Sequence, residues 1–355
     1  MPQGRKQVVA VNRTTGQQIK FGGYLRDRLD PNDQQYQPDR YGAAELPPVV
    51  DLREFMTDVE NQGELSSCTA NAMAGAYEYL AKRILGESGD VSRLFVYYNA
   101  RAVDGDQDKD EGTYLRNCIQ VLREMGTCPE DVWPYDVEMV NEEPSEDAYQ
   151  EAAKFLIEEA ERVEVDLYAM KHCLAEGFPF AFGLTLFESF MKRGNKTIPM
   201  PNPDREKALG GHAMLCVGYS DPHKVFVVRN SWGDKWADKG YCYIPYDYMT
   251  NPELCHDCWT IRNVSDLDFS SGVWFDYDAN FYSAFTINPD EEAEGEFEFD
   301  FDSDFYNFSL NQDEDEDEEY DDEDEDEEYD DEDEDEEYDD EDEDEEYDDE
   351  DEDED

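Results

Sequence analysis

The sequence predicts an α+β chain with a helix-rich half, a strand-rich half and an acidic tail beyond the fold. Three observations carry this. Ala70, Ala72, Met73, Ala74, Ala76, Tyr77, Leu80, Ile84 and Leu85 recur at helical spacing, as do Leu115, Cys118, Ile119, Leu122 and Met125. From Phe178 the pattern changes to short apolar, β-branched runs: Phe180 to Leu186, Ala213 to Tyr219 and Val225 to Val228. Residues 313–355 contain 39 acidic residues, four tyrosines and nothing else.

The first helix opens at Cys68, behind a small polar loop holding Gly63, Ser66 and Ser67, and Gly86 is its predicted stop. A thiol at a helix N-terminus sits at the positive end of the dipole, which favours thiolate. Leu94 to Tyr98 begin a second helical stretch, and residues 113–125 a third, stopped by Gly126. Residues 141–165 read as a solvated amphipathic helix with Ser145 as N-cap, and 166–176 continue helically to Gly177. Strands then run to about Arg262.

A distant histidine and asparagine give Cys68 a chemical context. Gly211-His212-Ala213 lies in one predicted strand, with His212 144 residues after Cys68. Asn230 follows 18 residues later in Asn230-Ser231-Trp232-Gly233. A thiol, an imidazole and a group to orient the imidazole are the parts of a nucleophilic site, at a Cys-to-His separation typical of papain-like enzymes.

With Leu46-Pro47-Pro48-Val49-Val50-Asp51-Leu52-Arg53, Gln62-Gly63, Tyr97-Tyr98-Asn99, Trp133-Pro134-Tyr135 and Gly240-Tyr241, the ordered set resembles the papain family of cysteine peptidases over residues 46–265. The resemblance implies a papain-like two-subdomain fold, with a helical half, an antiparallel β-barrel-like half and a cleft between them. It implies Cys68 as nucleophile, His212 as its acid–base partner and Asn230 as the orienting group. The Gln62 side chain and the Cys68 backbone N–H would form the oxyanion hole. Gly112, 44 residues after Cys68, falls where the family pairs backbone with substrate, and Gly211 adjoins the histidine. Leu184 and Leu186 are candidates for the pocket taking the side chain two before the cut. Trp232 and Trp236 are expected to shield the Asn–His contact. Thr69 and Ser66 depart from the aromatic and glycine that are usual around the nucleophile.

Four regions follow: a basic arm over 1–45, the peptidase domain over 46–265, an aromatic and acidic extension over 266–312, and the repeat tail over 313–355. The arm has a net charge of +2 and no helical pattern, and it reads as a surface-hugging segment or a short inhibitory prosegment. The tail holds three identical copies of a nine-residue repeat with one tyrosine each, so it has almost nothing to bury and is expected to be disordered.

Net charge is −67, of which −19 belongs to residues 1–289. That sign argues against nucleic acid as a partner and toward polypeptide substrates, with basic proteins drawn to the tail. No run is long and apolar enough for a membrane span or signal peptide, so the expectation is a non-secreted, intracellular monomer with reduced thiols. No cofactor or metal is expected. Cys255-His256-Asp257-Cys258 falls short of a zinc ligand set, and Asp104 to Gly112 fails the calcium-loop pattern, leaving core thiols and an acidic surface loop. His172, His223 and His256 read as surface or structural. The alternative to a peptidase is a non-catalytic papain-like shell that captures basic partners. Acyl-enzyme chemistry also permits acceptors other than water.

Overall fold

The computed structural model describes residues 8–11, 16, 18–85, 89–192 and 196–264. The extension over 266–312, the repeat tail and the predicted helix stop at Gly86 lie outside the described residues.

In chain order the elements are β1 (Val8–Val11), β2 (Gln18–Phe21), β3 (Tyr24–Leu25), β4 (Val49–Asp51), α1 (Cys68–Leu85), α2 (Arg93–Ala102), β5 (Thr113–Tyr114) and α3 (Leu115–Glu124). Then follow α4 (Glu146–Ala152), β6 (Ile157–Val163), α5 (Leu167–Ala175), β7 (Phe180–Phe187), β8 (Ala208–Ser220), β9 (Val225–Arg229), β10 (Tyr241–Pro245), α6 (Tyr246–Met249) and β11 (Cys255–Val264). The fold is mixed, with its helices concentrated before its main strands, as expected.

The main sheet runs β10-β9-β8-β7-β11-β6, with β4 added on β8. All its pairings are antiparallel. Helix α1 packs chiefly against β8 and against α2 and α3. Met73, Tyr77 and Leu80 from α1, Phe180 and Phe182 from β7, and Leu215 and Val217 from β8 are all buried. Burying α1 between sheet and helices explains its composition: Ala70, Ala72, Ala74 and Ala76 are buried, and Gly75 faces Leu215 and Arg229. All eight cysteines are free and buried.

One predicted element is corrected. The helix expected over 141–165 ends at Ala152, and Ile157–Val163 form a strand on β11. Ser145 does cap α4, accepting from Ala148 N at 3.2 Å. Only Ile157, Ala160 and Val163 of β6 are buried, and this spacing of three mimics a helix. Register shifts between Ile261 and Val264 break the alternation of two between Ile157 and Ala160.

Residues 18–45 are also bound more deeply than a surface-hugging arm. Ile19, Phe21, Tyr24, Asp27 and Tyr36 are buried. Strand β3 pairs parallel to β5, Tyr24 beside Thr113. Further on, Arg162 N donates to Gln34 O at 2.7 Å and Tyr36 N to Arg162 O at 3.0 Å. The Tyr36 hydroxyl meets Nδ1 of His172. Tyr41 N donates to Nε2 of the same ring at 2.9 Å. His172 is thus a buried structural residue holding the arm to α5.

Candidate active site

Cys68 is the first residue of α1, at the junction of loop and helix that the sequence indicated. The loop before it is held from two sides. Asp110 accepts from Ser66 N at 2.9 Å and from the Tyr97 hydroxyl at 2.7 Å, while its carbonyl accepts from Ser66 Oγ at 3.2 Å. Ser66 therefore turns its side chain to Asp110. On the other side, the Tyr135 hydroxyl pairs with Ser67 Oγ at 2.5 Å and donates to Gln62 O at 2.9 Å. Asp110 lies in the stretch read as an acidic surface loop; its clamping role depends on a contact 44 residues away and left no sequence pattern.

Strand β8 carries His212 and sets it beside Asn230, which directly follows β9. His212 Nε2 and Asn230 Oδ1 are 2.8 Å apart. Ser231 N also donates to Asn230 Oδ1 at 2.8 Å, fixing the amide orientation. Ala213 N donates to Cys68 Sγ at 3.4 Å, so the residue after the histidine touches the thiol. Trp232 covers the imidazole, with ring centroids 5.0 Å apart, and Trp236 packs edge-on against Trp232 at 5.0 Å.

Gln62 is fully buried beside this pair. Its backbone N–H donates to Ser231 O at 2.8 Å, and its Nε2 to Leu65 O at 2.8 Å. Ser231 Oγ donates to Gln62 Oε1 at 2.6 Å and so sets which end of the amide faces the loop. Ser231 is a positioning residue that the sequence reading passed over. Its hydroxyl sits within the motif that singled out Asn230, but its partner is 169 residues away.

The arm crosses the site. Gly22 N donates to Gly211 O at 3.0 Å on one side, and Thr113 N donates to Gly23 O at 3.0 Å on the other. A Cβ on Gly23 would overlap the Ser66 carbonyl, and one on Gly112 would overlap the Gly23 carbonyl. Gly112 also has φ +85°, which favours glycine for conformation as well as space. Phe21 packs edge-on against Trp232 at 5.8 Å. Lys20 Nζ lies 2.7 Å from Asp110 Oδ2. Gly112 and Gly211, both picked out as substrate-binding, are the walls between which the arm passes.

Tyr24 enters the pocket next along. Its ring occupies the space where Gly183 would carry a Cβ. Side chains alternate along a strand, so Gly183 faces this pocket while Leu184 and Leu186, both fully buried, lie on the opposite face of β7. Both leucines belong to the core, and the residue of this strand that lies against the Tyr24 ring is Gly183.

The covered site is electrically quiet. Burial pushes the Cys68 thiol up to about 12, with backbone N–H groups pulling weakly the other way. Burial also pushes His212 down to about 4, opposed by its hydrogen bond to Asn230. A helix N-terminus stabilises an anion by roughly 0.3–1 kcal/mol. Raising a thiol from 9.0 to about 12 corresponds to roughly 4 kcal/mol, so burial wins and both groups are neutral under the arm.

A thiol at a helix start, a histidine hydrogen-bonded to an asparagine and two flanking backbone walls thus lie together in one site. Comparison with known proteins gives the family. The profile of the papain family cysteine proteases matches residues 46–263, and the chain belongs to that family. It is 36% identical over 237 residues to a peptidase C1-like protein of Acanthamoeba polyphaga mimivirus, covering 63% of this chain and 76% of that one. It is 29% identical to chicken cathepsin K over 228 residues, covering 61% of this chain and 63% of the cathepsin. Among solved structures, xylellain, a cysteine protease from Xylella fastidiosa, aligns with TM-score 0.64 and 38% identity, over 68% of this chain and 96% of that one.

Proposed function

We propose that this chain is a cysteine endopeptidase held latent by its own residues 18–25. The observation that supports it most is the convergence of Gln62, Cys68, His212 and Asn230 under a strand of the same chain. Once the cleft is open to water, the desolvation that keeps both groups neutral is relieved, and a thiolate–imidazolium pair can form. Cys68 Sγ then attacks the scissile carbonyl carbon and forms a C–S bond. The carbonyl oxygen gains charge and is met by the Cys68 backbone N–H and a Gln62 amide N–H. As the C–N bond breaks, the His212 imidazolium gives its proton to the leaving amine, and an acyl-enzyme remains. Neutral imidazole next takes a proton from water, whose oxygen attacks the thioester carbonyl. The thiolate leaves, the acid product departs, and the ion pair is restored. Throughout, Asn230 Oδ1 accepts the Nε2–H of His212 and holds the ring plane.

The acidic tail is proposed to keep the chain soluble or to attract basic proteins, without a part in the chemistry. Peptide hydrolysis by the full chain carrying Gly23→Ala tests the reading. Turnover is expected, and it should vanish when Cys68→Ala is added. Turnover that survives Cys68→Ala would remove Cys68 as nucleophile.

A further inference from the structure

Resting on the peptidase reading, we infer that the arm is cut within Arg28-Leu29-Asp30, and that residues 33–45 stay as a permanent part of the active enzyme. The peptidase domain read from the sequence starts at Leu46. The contacts of the arm place the break earlier.

The arm is held as two separate pieces. The first, residues 18–27, crosses the site and ends at Asp27, which is buried and accepts from Trp259 Nε1 at 2.8 Å. The second, residues 33–45, is bound to β6 and α5. It begins at Asp33, whose carboxylate meets Nη1 and Nη2 of Arg116, both at 2.6 Å. Gln34 and Tyr36 then pair through their backbone with Arg162 on β6, the last strand of the main sheet. Tyr36 is buried; its hydroxyl meets His172 and donates to Glu176 Oε2 at 2.9 Å. The Tyr168 hydroxyl donates to Tyr41 O.

These contacts give the second piece a structural duty. Residues 34–36 cover the edge of β6, and an uncovered edge presents unpaired N–H and C=O groups. Losing the chain up to Leu46 would bare that edge. It would also take the partners from both ring nitrogens of His172, which is fully buried. Losing residues 1–28 has a different effect. Gly211 O and Thr113 N give up the arm backbone, and an extended substrate can engage them in turn. Asp257 and Arg162, which Tyr24 and Asp27 leave behind, still have each other.

Between the two pieces lies a short linker. Arg28, Leu29, Asp30, Pro31 and Asn32 are all exposed. Leu29, at 87%, is the most exposed large apolar side chain among the described residues. The linker is held by a turn, Asp33 N donating to Asp30 O at 3.1 Å, and by Arg116 Nη2 donating to Arg28 O at 3.0 Å. Exposed loops of this kind are preferred sites of nicking, because little structure must open for the chain to enter another enzyme's cleft. Hydrolysis consumes one water and leaves a carboxylate on one residue of the linker and an ammonium on the next. The blocking piece then has no tether. A contact that was intramolecular becomes a binding equilibrium that is lost on dilution.

The test is brief digestion of the full chain with thermolysin, a zinc endopeptidase that cuts before large apolar residues. The digestion is stopped with a chelator and followed by N-terminal sequencing and by epoxide labelling of Cys68. Within residues 22–46 the first cut is expected before Leu29, with residues 33–45 retained as digestion continues. The nicked chain, once diluted, should label about 10- to 100-fold faster than the intact chain. Leu29→Asp should stay uncut at this bond and latent. A first cut between residues 33 and 46, or no cut between residues 22 and 46, overturns this inference alone. So does a cut before Leu29 that leaves labelling slow while Gly23→Ala labels. If neither the nicked chain nor Gly23→Ala labels, the peptidase reading falls and takes this inference with it.

Discussion

Gly22 donates its backbone N–H to the carbonyl of Gly211 at 3.0 Å, one residue before His212. The chain thus lays its own backbone beside its acid–base residue. The crossing depends on glycine at 23, where any side chain meets the Ser66 carbonyl.

Loosening of the arm should be graded. Gly23→Ala forces backbone apart and is expected to raise peptidase activity of the full chain by about 5- to 150-fold, since overpacking of this kind costs roughly 1–3 kcal/mol. Lys20→Ala breaks only a partly exposed ion pair to Asp110, worth about 1 kcal/mol or less, and should raise activity fivefold at most. Initial rates on one fluorogenic peptide decide the order.

The oxyanion donors should separate from the binding groups. In a Gly23→Ala background, Gln62→Ala is expected to lower kcat by about 10²- to 10³-fold with KM little changed. Ser231→Ala acts only by freeing the Gln62 amide, so a smaller fall in kcat, about 10-fold, is expected. A rise in KM with unchanged kcat would assign both residues to substrate binding.

Arm docking should weaken as pH rises. Burial, then the charge of Asp257, pushes the Asp27 carboxyl up to about 6, against its contacts with Trp259 and Arg116. Arg162 also lies 3.7 Å away. A carboxyl raised in the docked state favours docking below its free value near 4, and that contribution is lost as pH rises through about 6. The ratio of labelling rates, full chain to Gly23→Ala, should therefore climb between pH 5 and 7; Asp27→Asn should flatten it.

A second carboxyl sets a pH dependence of stability. Glu78, a residue of α1, is fully buried and accepts from Thr57 Oγ1 at 2.6 Å and Val91 N at 2.9 Å. Burial pushes it up to about 7. Its stabilisation is present at low pH and is lost as pH rises through 7. Glu78→Gln is expected to gain about 1–3 kcal/mol at pH 8 relative to its effect at pH 5, read by urea unfolding at both.

Much of this was legible in the sequence where the signal is local. The Cys68 junction, the strand around His212 and the motif after β9 each announce themselves within about ten residues. The failures are non-local. Strand β6 looked helical because Phe155, Leu156 and Ala160 continue the apolar series of Ala148, Ala152 and Ala153 at helical spacing, whereas the pairing that makes it a strand is with β11, about a hundred residues on. The arm looked like a surface segment because β3 is two residues long and its partner β5 lies about ninety residues on. Gly183 was passed over for Leu184 and Leu186 because hydrophobicity was the guide, whereas this pocket is made by a missing side chain.

The most direct measurement is intact-mass analysis after incubation with an epoxide that alkylates papain-like thiolates, on the full chain, on Gly23→Ala and on Gly23→Ala with Cys68→Ala. One adduct on Gly23→Ala, slow or absent labelling of the parent and none on the double variant is the expected result. Equal, rapid labelling of parent and Gly23→Ala would contradict latency, and no label on Gly23→Ala with the fold intact would contradict the assembled nucleophile.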